Sequence, residues 1–196
     1  MKALVTGAGG YVGRRLVEAL AARGADVVGA GHGADLSVDF RMAEDVAALV
    51  EETRPAVVHH LAGTSTLAEL QRDPQGGNQN VVQPALNVLE AVANAGGGRV
   101  VLVSPCEVYG RANRLPIDER CPLAPVDLYG AARASVEYMA RAYAARGVEI
   151  VVARAFHFTG PAQDRRWPLA DAAARAARGE PVRLGDAEAR RDVSDV

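Results

Sequence analysis

ALVTGAGGYVG, residues 3–13, decides the fold of this chain. Its first four residues predict a buried strand, and a helical pattern of apolar residues begins at Tyr11. Between them, Gly7 permits a tight turn, Gly10 lets backbone approach a pyrophosphate, and Gly13 lets the helix pack closely on the strand. The helix N-terminus then offers N–H groups and partial positive charge to phosphates. The stretch therefore predicts a dinucleotide-binding turn formed by Gly7, Gly10, Tyr11, Val12 and Gly13.

Beyond this stretch, short Val-rich runs alternate with segments of helical period. The runs predict strands at residues 3–6, 26–30, 56–61, 100–104 and 149–153, and the other segments predict helices at 11–23, 43–53, 78–94 and 127–146. Such alternation is typical of an α/β fold with a doubly wound parallel sheet of the Rossmann type. We expect residues 1–155 to form an NAD(P)-binding domain and residues 156–196, which are richer in turn residues, to begin a second, smaller lobe.

Composition narrows the possible classes of function. The 196 residues carry a formal net charge of −2 and are 49% hydrophobic, which excludes a disordered chain and argues against a nucleic-acid partner. No apolar stretch approaches the ~20 residues of a membrane span, and no signal peptide precedes the first strand. Cys106 and Cys121, the two cysteines, lack metal-ligand spacing. These features predict a cytoplasmic protein without a metal site.

The position that selects between NAD and NADP lies at the end of the second predicted strand. An acidic residue there usually binds the ribose 2′-OH of NAD, but Gly31 and His32 occupy the position here. The missing carboxylate mildly favours NADP, with His32 near its 2′-phosphate.

Several segments resemble the extended short-chain dehydrogenase/reductase family of NAD-dependent epimerases and dehydratases. Thr6 with the Gly-x-x-Gly-x-x-Gly spacing matches the family's turn, and further matches are SPCEVYG at 104–110, DLYG at 127–130, RAFHFTGP at 154–161 and RRDVSDV at 190–196. The last two segments are most similar to GDP-4-dehydro-6-deoxy-mannose reductases and GDP-mannose 4,6-dehydratases. Members of this kind extend roughly a hundred residues further, so the resemblance implies that residues 156–196 form a partial, truncated C-terminal substrate lobe.

The resemblance also implies roles for individual residues. Tyr129 corresponds to the catalytic acid/base, Arg133 stands where the family has lysine, and Pro105 stands where it has serine or threonine. Glu107 corresponds to the base of the dehydratases. The implied cofactor contacts beyond the glycine turn are His32, Asp35, Leu36, Leu61, Ala62, Gly63, Tyr129, Arg133 and Phe156, and the implied substrate contacts are Glu107, His157 and Arg191.

Three functions fit these residues. The first is an NAD(P)-dependent reductase, epimerase or dehydratase that acts on a nucleotide-activated 4-keto-6-deoxy sugar with the altered residues Pro105 and Arg133. The second is a cofactor-binding partner or sensor protein without oxidoreductase chemistry, since Pro105 offers no hydrogen-bond donor. The third is a non-redox enzyme that uses Tyr129 and Glu107 on a smaller substrate.

The resemblance further predicts a homodimer. Family members commonly pair through the helices that correspond to residues 80–93 and 129–143. Apolar residues recur on both segments, among them Val81, Val88, Leu89, Val136 and Met139.

Overall fold

The computed structural model describes residues 1–63, 66–111, 114–182, 185, 188 and 190–196. Within them the chain divides into two compact units, Met1–Arg154 and Ala155–Val196. The first unit contains the glycine turn and almost all of the predicted strands and helices.

Strands and helices alternate through the first unit. The strands are β1 (Lys2–Thr6), β2 (Asp26–Ala30), β3 (Val57–His60), β4 (Gly98–Pro105) and β5 (Val148–Ala155), the last ending at the unit boundary. The helices are α1 (Tyr11–Ala22), α2 (Ala43–Thr53), α3 (Leu67–Arg72), α4 (Pro74–Asn94), a 3₁₀ helix (Cys106–Tyr109) and α5 (Leu128–Ala144). In the part of the chain described, no helix is both long enough and apolar enough to cross a membrane.

The five strands form a sheet in the order β2-β1-β3-β4-β5, and the pairs from β2 to β4 are parallel. The chain order reverses between β1 and β3, so the loops that follow these two strands leave the sheet at a shared crevice. Open parallel sheets bind ligands at such a reversal, beyond the carboxyl ends of the strands. This architecture confirms the predicted doubly wound α/β fold.

The main core lies on the sheet face covered by α2, α4 and α5. Leu4, Val58 and Val100 from the sheet are at most 1% exposed and belong to one cluster with residues of these helices. Helix α1 packs instead on β1 and β2. The last strand, β5, has one well-exposed row of side chains, and Val151 within it is 41% exposed.

Apolar residues that we expected at a dimer interface belong to this core. Val81, Val88 and Leu89 of α4 are fully buried, and Val136 of α5 is 6% exposed within a single chain. Their apolar periodicity therefore reflects packing of α4 between α2 and α5, and these four side chains are unavailable for pairing with a second copy.

The second unit contains β6 (His157–Thr159), α6 (Pro168–Ala177) and β7 (Val193–Asp195). Strands β6 and β7 pair in parallel, and His157 lies opposite Val193. Helix α6 begins with a proline at its first turn, a position where the missing N–H costs nothing. Ion pairs surround it, including those from Arg165 and Arg175 to Asp171.

Candidate functional site

The glycine turn brings the ends of β1 and β3 and the start of α1 into direct backbone contact. A Cβ on Gly7 would lie 2.9 Å from the amide nitrogen of Ala62, and one on Gly13 would lie 2.2 Å from the carbonyl oxygen of Gly7. Gly7 also has a φ of +70°, which side chains rarely adopt. These two glycines are therefore required by the fold itself.

Gly10 differs because its constraint comes from outside the fold. It is exposed, its φ of −73° suits any residue, and an added Cβ would meet only the Gly7 carbonyl oxygen, at 3.1 Å. It is the N-terminal cap of α1, yet no side chain caps the helix and no acidic residue occupies its first turn. The N–H groups and positive end of α1 are therefore available to an anion, as a pyrophosphate requires.

A fourth glycine, Gly9, was not singled out from the sequence because it occupies a variable position of the motif. A Cβ on it would lie 1.9 Å from the carbonyl oxygen of His32. This contact places the backbone after β2 against the turn, so His32 lies beside the phosphate-binding turn with its side chain exposed. Gly9 is identified only by its close approach to the loop after β2. A linear sequence motif contains no information about that distant loop.

The loop after β2 folds back on the strand it leaves. The N–H of Gly31 donates to the carbonyl oxygen of Leu36 at 2.8 Å, and Leu36 forms a parallel bridge with Ala30. Asp35 and Leu36 are both exposed on this loop. Their backbone therefore extends the sheet edge near the turn, and the Asp35 carboxylate stays accessible.

Asp39 and Arg41 form a second charged feature near His32. The Arg41 guanidinium binds both carboxylate oxygens, with an Nη2–Oδ2 distance of 2.6 Å. These bonds lower the pKa of Asp39 to about 2, and the proximity of His32 acts in the same direction. Sequence reasoning overlooked Arg41, which brings a cation close to the expected position of the ribose.

Thr6 fixes the segment Leu61–Gly63 at the end of β3. Its hydroxyl oxygen accepts hydrogen bonds from the N–H groups of Leu61 and Ala62, at 3.1 and 3.2 Å, and lies 2.9 Å from Nδ1 of His60. Since the oxygen already accepts two bonds, its proton is directed to Nδ1. Burial lowers the pKa of His60 to about 3, so this histidine is neutral, as expected for a core residue.

Tyr129, Arg133 and Glu107 are brought together at the start of α5. Arg133 lies one turn after Tyr129, is 8% exposed, and has its guanidinium carbon 5.5 Å from the centre of the phenol ring. The 3₁₀ helix that carries Glu107 packs against the same turn, where a Cβ on Gly130 would lie 2.6 Å from the Glu107 carbonyl oxygen. One guanidinium nitrogen of Arg133 also lies beside Gly63, which joins this cluster to the end of β3.

The environment of Tyr129 favours its neutral form. Burial raises the pKa of the phenol above its ordinary value, while the charge of Arg133 and a hydrogen bond from it act in the opposite direction; Glu107 and Cys106 add to the increase. The positive charge of Arg133 on its own would favour the phenolate, but burial outweighs its effect. Tyr129 is therefore protonated at neutral pH.

Pro105 ends β4 immediately before the 3₁₀ helix. It has neither an N–H nor a side-chain donor, so it cannot hydrogen-bond a carbonyl oxygen of a substrate. The next residue, Cys106, has its sulfur 3.5 Å from a Glu107 carboxylate oxygen.

The remaining predicted residues lie in the second unit. Phe156 precedes β6, His157 begins it, and Arg191 precedes β7, where its guanidinium donates to the carbonyl oxygen of Arg190 at 2.7 Å. His157 and Arg191 are exposed and Phe156 is half-buried.

Comparison with known proteins extends over nearly the whole chain. The chain is 31% identical to a UDP-glucose 4-epimerase of Azospirillum brasilense, over 92% of this chain and 53% of that protein. It is also 31% identical to a GDP-6-deoxy-D-mannose reductase of Pseudomonas aeruginosa, over 98% of this chain and 66% of that protein. The structure is similar to UDP-glucose 4-epimerase of Thermus thermophilus in complex with NAD, with a TM-score of 0.89 at 29% identity, covering all of this chain and 70% of that one.

The chain thus spans about half to two thirds of the length of these two relatives. Residues 3–196 match the model of the NAD dependent epimerase/dehydratase family. The match includes the glycine turn, the Tyr129 helix and the second unit. The chain therefore belongs to the NAD-dependent epimerase/dehydratase family, within the extended short-chain dehydrogenases/reductases.

Proposed function

We propose that the chain belongs to an NAD(P)-dependent reductase, epimerase or dehydratase that acts on a nucleotide-activated 4-keto-6-deoxy sugar. The observation that carries the proposal is that the end of β3 links the glycine turn to the Tyr129 cluster. A Cβ on Gly7 would lie 2.9 Å from the Ala62 nitrogen, and the guanidinium of Arg133, which packs on Tyr129, lies beside Gly63. One relative is a GDP-6-deoxy-D-mannose reductase, which supports this class of sugar. In this proposal the glycine turn, the loops after β2 and β3, the start of α5 and Phe156 bind the cofactor, and His157 and Arg191 bind the sugar nucleotide.

The glycine turn fits a dinucleotide, because Gly10 leaves space at the positive N-terminal end of α1, which no side chain caps. In the proposal Gly7, Gly10, Tyr11, Val12 and Gly13 hold the pyrophosphate. His32, Asp35 and Leu36 surround the adenosine, and the nicotinamide half is contacted by Leu61, Ala62, Gly63, Tyr129, Arg133 and Phe156. A bound nicotinamide supplies or accepts the hydride.

The chain's own groups handle the proton. Tyr129 donates to the sugar oxygen, since its raised pKa keeps it protonated. Arg133 stabilises the phenolate that remains, but unlike lysine it cannot relay a proton. Glu107 stands at the 3₁₀ helix as the second acid/base group. Because Pro105 provides no donor to the developing oxyanion, ketone reduction should be slow.

The decisive experiment restores the two altered residues. Pro105→Ser combined with Arg133→Lys should raise hydride transfer to GDP- or dTDP-4-keto-6-deoxy sugars by ~10²-fold, since one oxyanion donor is worth ~10²–10³ in rate. The reaction is followed by cofactor absorbance, and adding Tyr129→Phe to the double variant should remove the gain. Wild-type turnover already at the ~1–10³ s⁻¹ typical of enzymes would show that Pro105 and Arg133 are harmless.

A second candidate function is cofactor binding without oxidoreductase chemistry, as in a partner subunit or sensor. The absence of any donor on Pro105 favours it. It would be supported if neither wild type nor the double variant transferred hydride while both bound cofactor. A non-redox enzyme that uses Tyr129 and Glu107 on a smaller substrate would instead turn over substrate without consuming cofactor. Its activity would be lost in both Tyr129→Phe and Glu107→Gln.

The preference for NAD or NADP depends on the loop after β2, which we expect near the 2′ position of the cofactor's ribose. Two structures of family members contain NAD and give no support to a preference for NADP. The exposed His32, at the position where an acidic residue would select NAD, is the remaining argument for NADP. The ratio of the two dissociation constants decides between them.

We also propose a homodimer formed through the exposed side of α5. A stripe of residues spaced by three or four positions lies there, with Leu128 49% and Tyr138 54% exposed. The stripe consists of Leu128, Ala131, Ser135, Tyr138 and Ala142. Tyr138→Glu should convert the dimer to a monomer in sedimentation velocity, because a charge would be buried at the interface. Ala144→Glu, on the opposite side of α5, should leave the dimer intact, and a wild-type protein that stays monomeric at high concentration would contradict the proposal.

A further inference from the structure

A buried carboxylate, Glu137, connects α5 to three other elements of the first unit. It is 1% exposed and accepts a hydrogen bond from the Ser104 hydroxyl at 2.5 Å. The Arg154 guanidinium grips it through Nε, at 3.2 and 3.1 Å from its two oxygens, and through Nη2 at 2.8 Å. The remaining nitrogen of Arg154 donates to the Tyr109 hydroxyl at 2.8 Å and to the Glu119 carbonyl oxygen at 3.3 Å. Glu137 thus holds β4 and β5 against α5, and Arg154 extends the network to the 3₁₀ helix.

The anchored residues bracket the candidate catalytic segment. Ser104 lies just before the turn that carries Glu107, and Tyr109 ends it. On α5, Glu137 follows Tyr129 by eight residues, so both side chains share one face of the helix with Arg133. At the first turn of α5, Gly130 already packs against the Glu107 backbone. The 3₁₀ helix is therefore fixed to α5 at two points.

Stability alone does not account for this arrangement. Burying a charged pair costs desolvation free energy, and well-packed apolar residues of similar size often give equal or greater stability. Unlike apolar residues, a forked guanidinium–carboxylate pair fixes the relative orientation of the two elements it joins, because its hydrogen bonds form only in a narrow range of orientations. The network therefore fixes the orientation of the 3₁₀ helix that lies between Ser104 and Tyr109.

We propose that Glu137 is a positioning residue that, through Ser104 and Arg154, sets the 3₁₀ turn bearing Glu107 against Tyr129 and Arg133. The inference rests on the proposed function only for the chemical roles of Tyr129 and Glu107. The positioning role can be tested without any substrate, because the pKa of the Tyr129 phenol depends on how closely the 3₁₀ helix packs against α5.

The test replaces the buried pair by apolar residues, Glu137→Met with Arg154→Met. Protein labelled with ¹³C at the tyrosine ring Cζ is titrated by NMR, and Tyr129→Phe identifies the Tyr129 signal. We expect the pKa of Tyr129 to move toward the ordinary tyrosine value in the Met variant, because water reaches a loosened cleft. Where turnover is measurable, kcat should fall by ~10²-fold with little change in the KM for cofactor, as expected for a misplacement of about 1 Å.

The matched control removes an exposed pair that also joins α5 to α4. Arg146, just beyond α5, donates to Glu90 at 2.6 Å, and the Tyr143 hydroxyl donates to the same carboxylate at 3.0 Å. Glu90→Met with Arg146→Met should change the Tyr143 titration and leave that of Tyr129 unaltered. This pattern would separate a specific effect of Glu137 from a general loosening of α5.

An unchanged Tyr129 titration in a folded Glu137→Met/Arg154→Met protein would overturn the proposal. If that variant does not fold, Ser104→Ala, which removes a single bond of the network, decides by the same readout in the same direction. If neither wild type nor the Pro105→Ser/Arg133→Lys variant transfers hydride to a sugar substrate, the proposed function fails, but the NMR comparison still decides the role of Glu137.

Discussion

Gly10→Asp should abolish cofactor binding while making the protein slightly more stable. An aspartate at the N-terminal cap accepts hydrogen bonds from the N–H groups of α1, and its charge favours the positive end of the helix. The φ of −73° at Gly10 suits a side chain, and the new Cβ would meet one atom, the Gly7 carbonyl oxygen, at 3.1 Å. The same carboxylate occupies the place of the pyrophosphate and repels it. We expect the affinity for NAD and NADP to fall by at least ~10²-fold, a loss of about 2.7 kcal/mol or more.

Calorimetric titration measures this loss, and two further variants separate its causes. Gly10→Ala adds the Cβ without capping the helix, and Gly10→Asn caps the helix without a charge. Affinity should decrease in the order wild type, Ala, Asn, Asp. Wild-type protein that binds neither cofactor at millimolar concentration would refute the assignment of the turn, and an Asp variant that binds normally would place the pyrophosphate elsewhere.

Gly13→Ala should destabilise the first unit severely, although it lies within a helix where alanine is intrinsically preferred. Helix propensity alone predicts a gain of about 1 kcal/mol. The added Cβ would however lie 2.2 Å from the Gly7 carbonyl oxygen and 2.8 Å from the Ala8 Cα, and backbone cannot move aside cheaply. We expect a loss of about 3 kcal/mol or more, which corresponds to roughly 6–12 °C in Tm for a chain of this size.

The control is Gly10→Ala, three residues earlier in the same turn, where the new Cβ meets a single atom at 3.1 Å. Its melting temperature should stay within about 3 °C of wild type, since a surface substitution with one close contact changes stability little. A Gly13→Ala protein that melts with wild type would show that α1 can shift away from β1.

The sequence predicts the parts of this molecule that depend on neighbouring residues. The turn at Gly7–Gly13, the alternation of strands and helices, and the helix Ala43–Thr53 all follow from local period and glycine spacing. The predicted helix boundaries are wrong where a capping residue sets the end of the helix. Helix α4 begins at Pro74, earlier than the predicted residue 78, because Asp73 caps it and accepts a hydrogen bond from the N–H of Gly76. The short helix α3 has no apolar period long enough to reveal it.

Long-range pairing accounts for what the sequence could not provide. Ser104 and Glu137 are 33 residues apart, and Arg154 is 17 residues beyond Glu137, so no local pattern connects them. The protonation of Tyr129 likewise depends on how deeply α5 is packed, which reverses the effect expected from Arg133 alone. Apolar period also fails to distinguish a core face from a dimer face, as the buried Val81 and Leu89 demonstrate.

The exposed row of side chains on β5 has a consequence for the solubility of the protein. Strand β5 forms one end of the described sheet, and its residues 148–153, VEIVVA, combine high β-propensity with low charge. Edge segments of this composition template intermolecular strand pairing and aggregation. Glu149, held at 2.8 Å by Arg99, is the charged gatekeeper within the segment. Because exposed pairs are screened by salt, and carboxylates lose their charge in acid, concentrated samples should be least prone to aggregate at neutral pH and modest ionic strength.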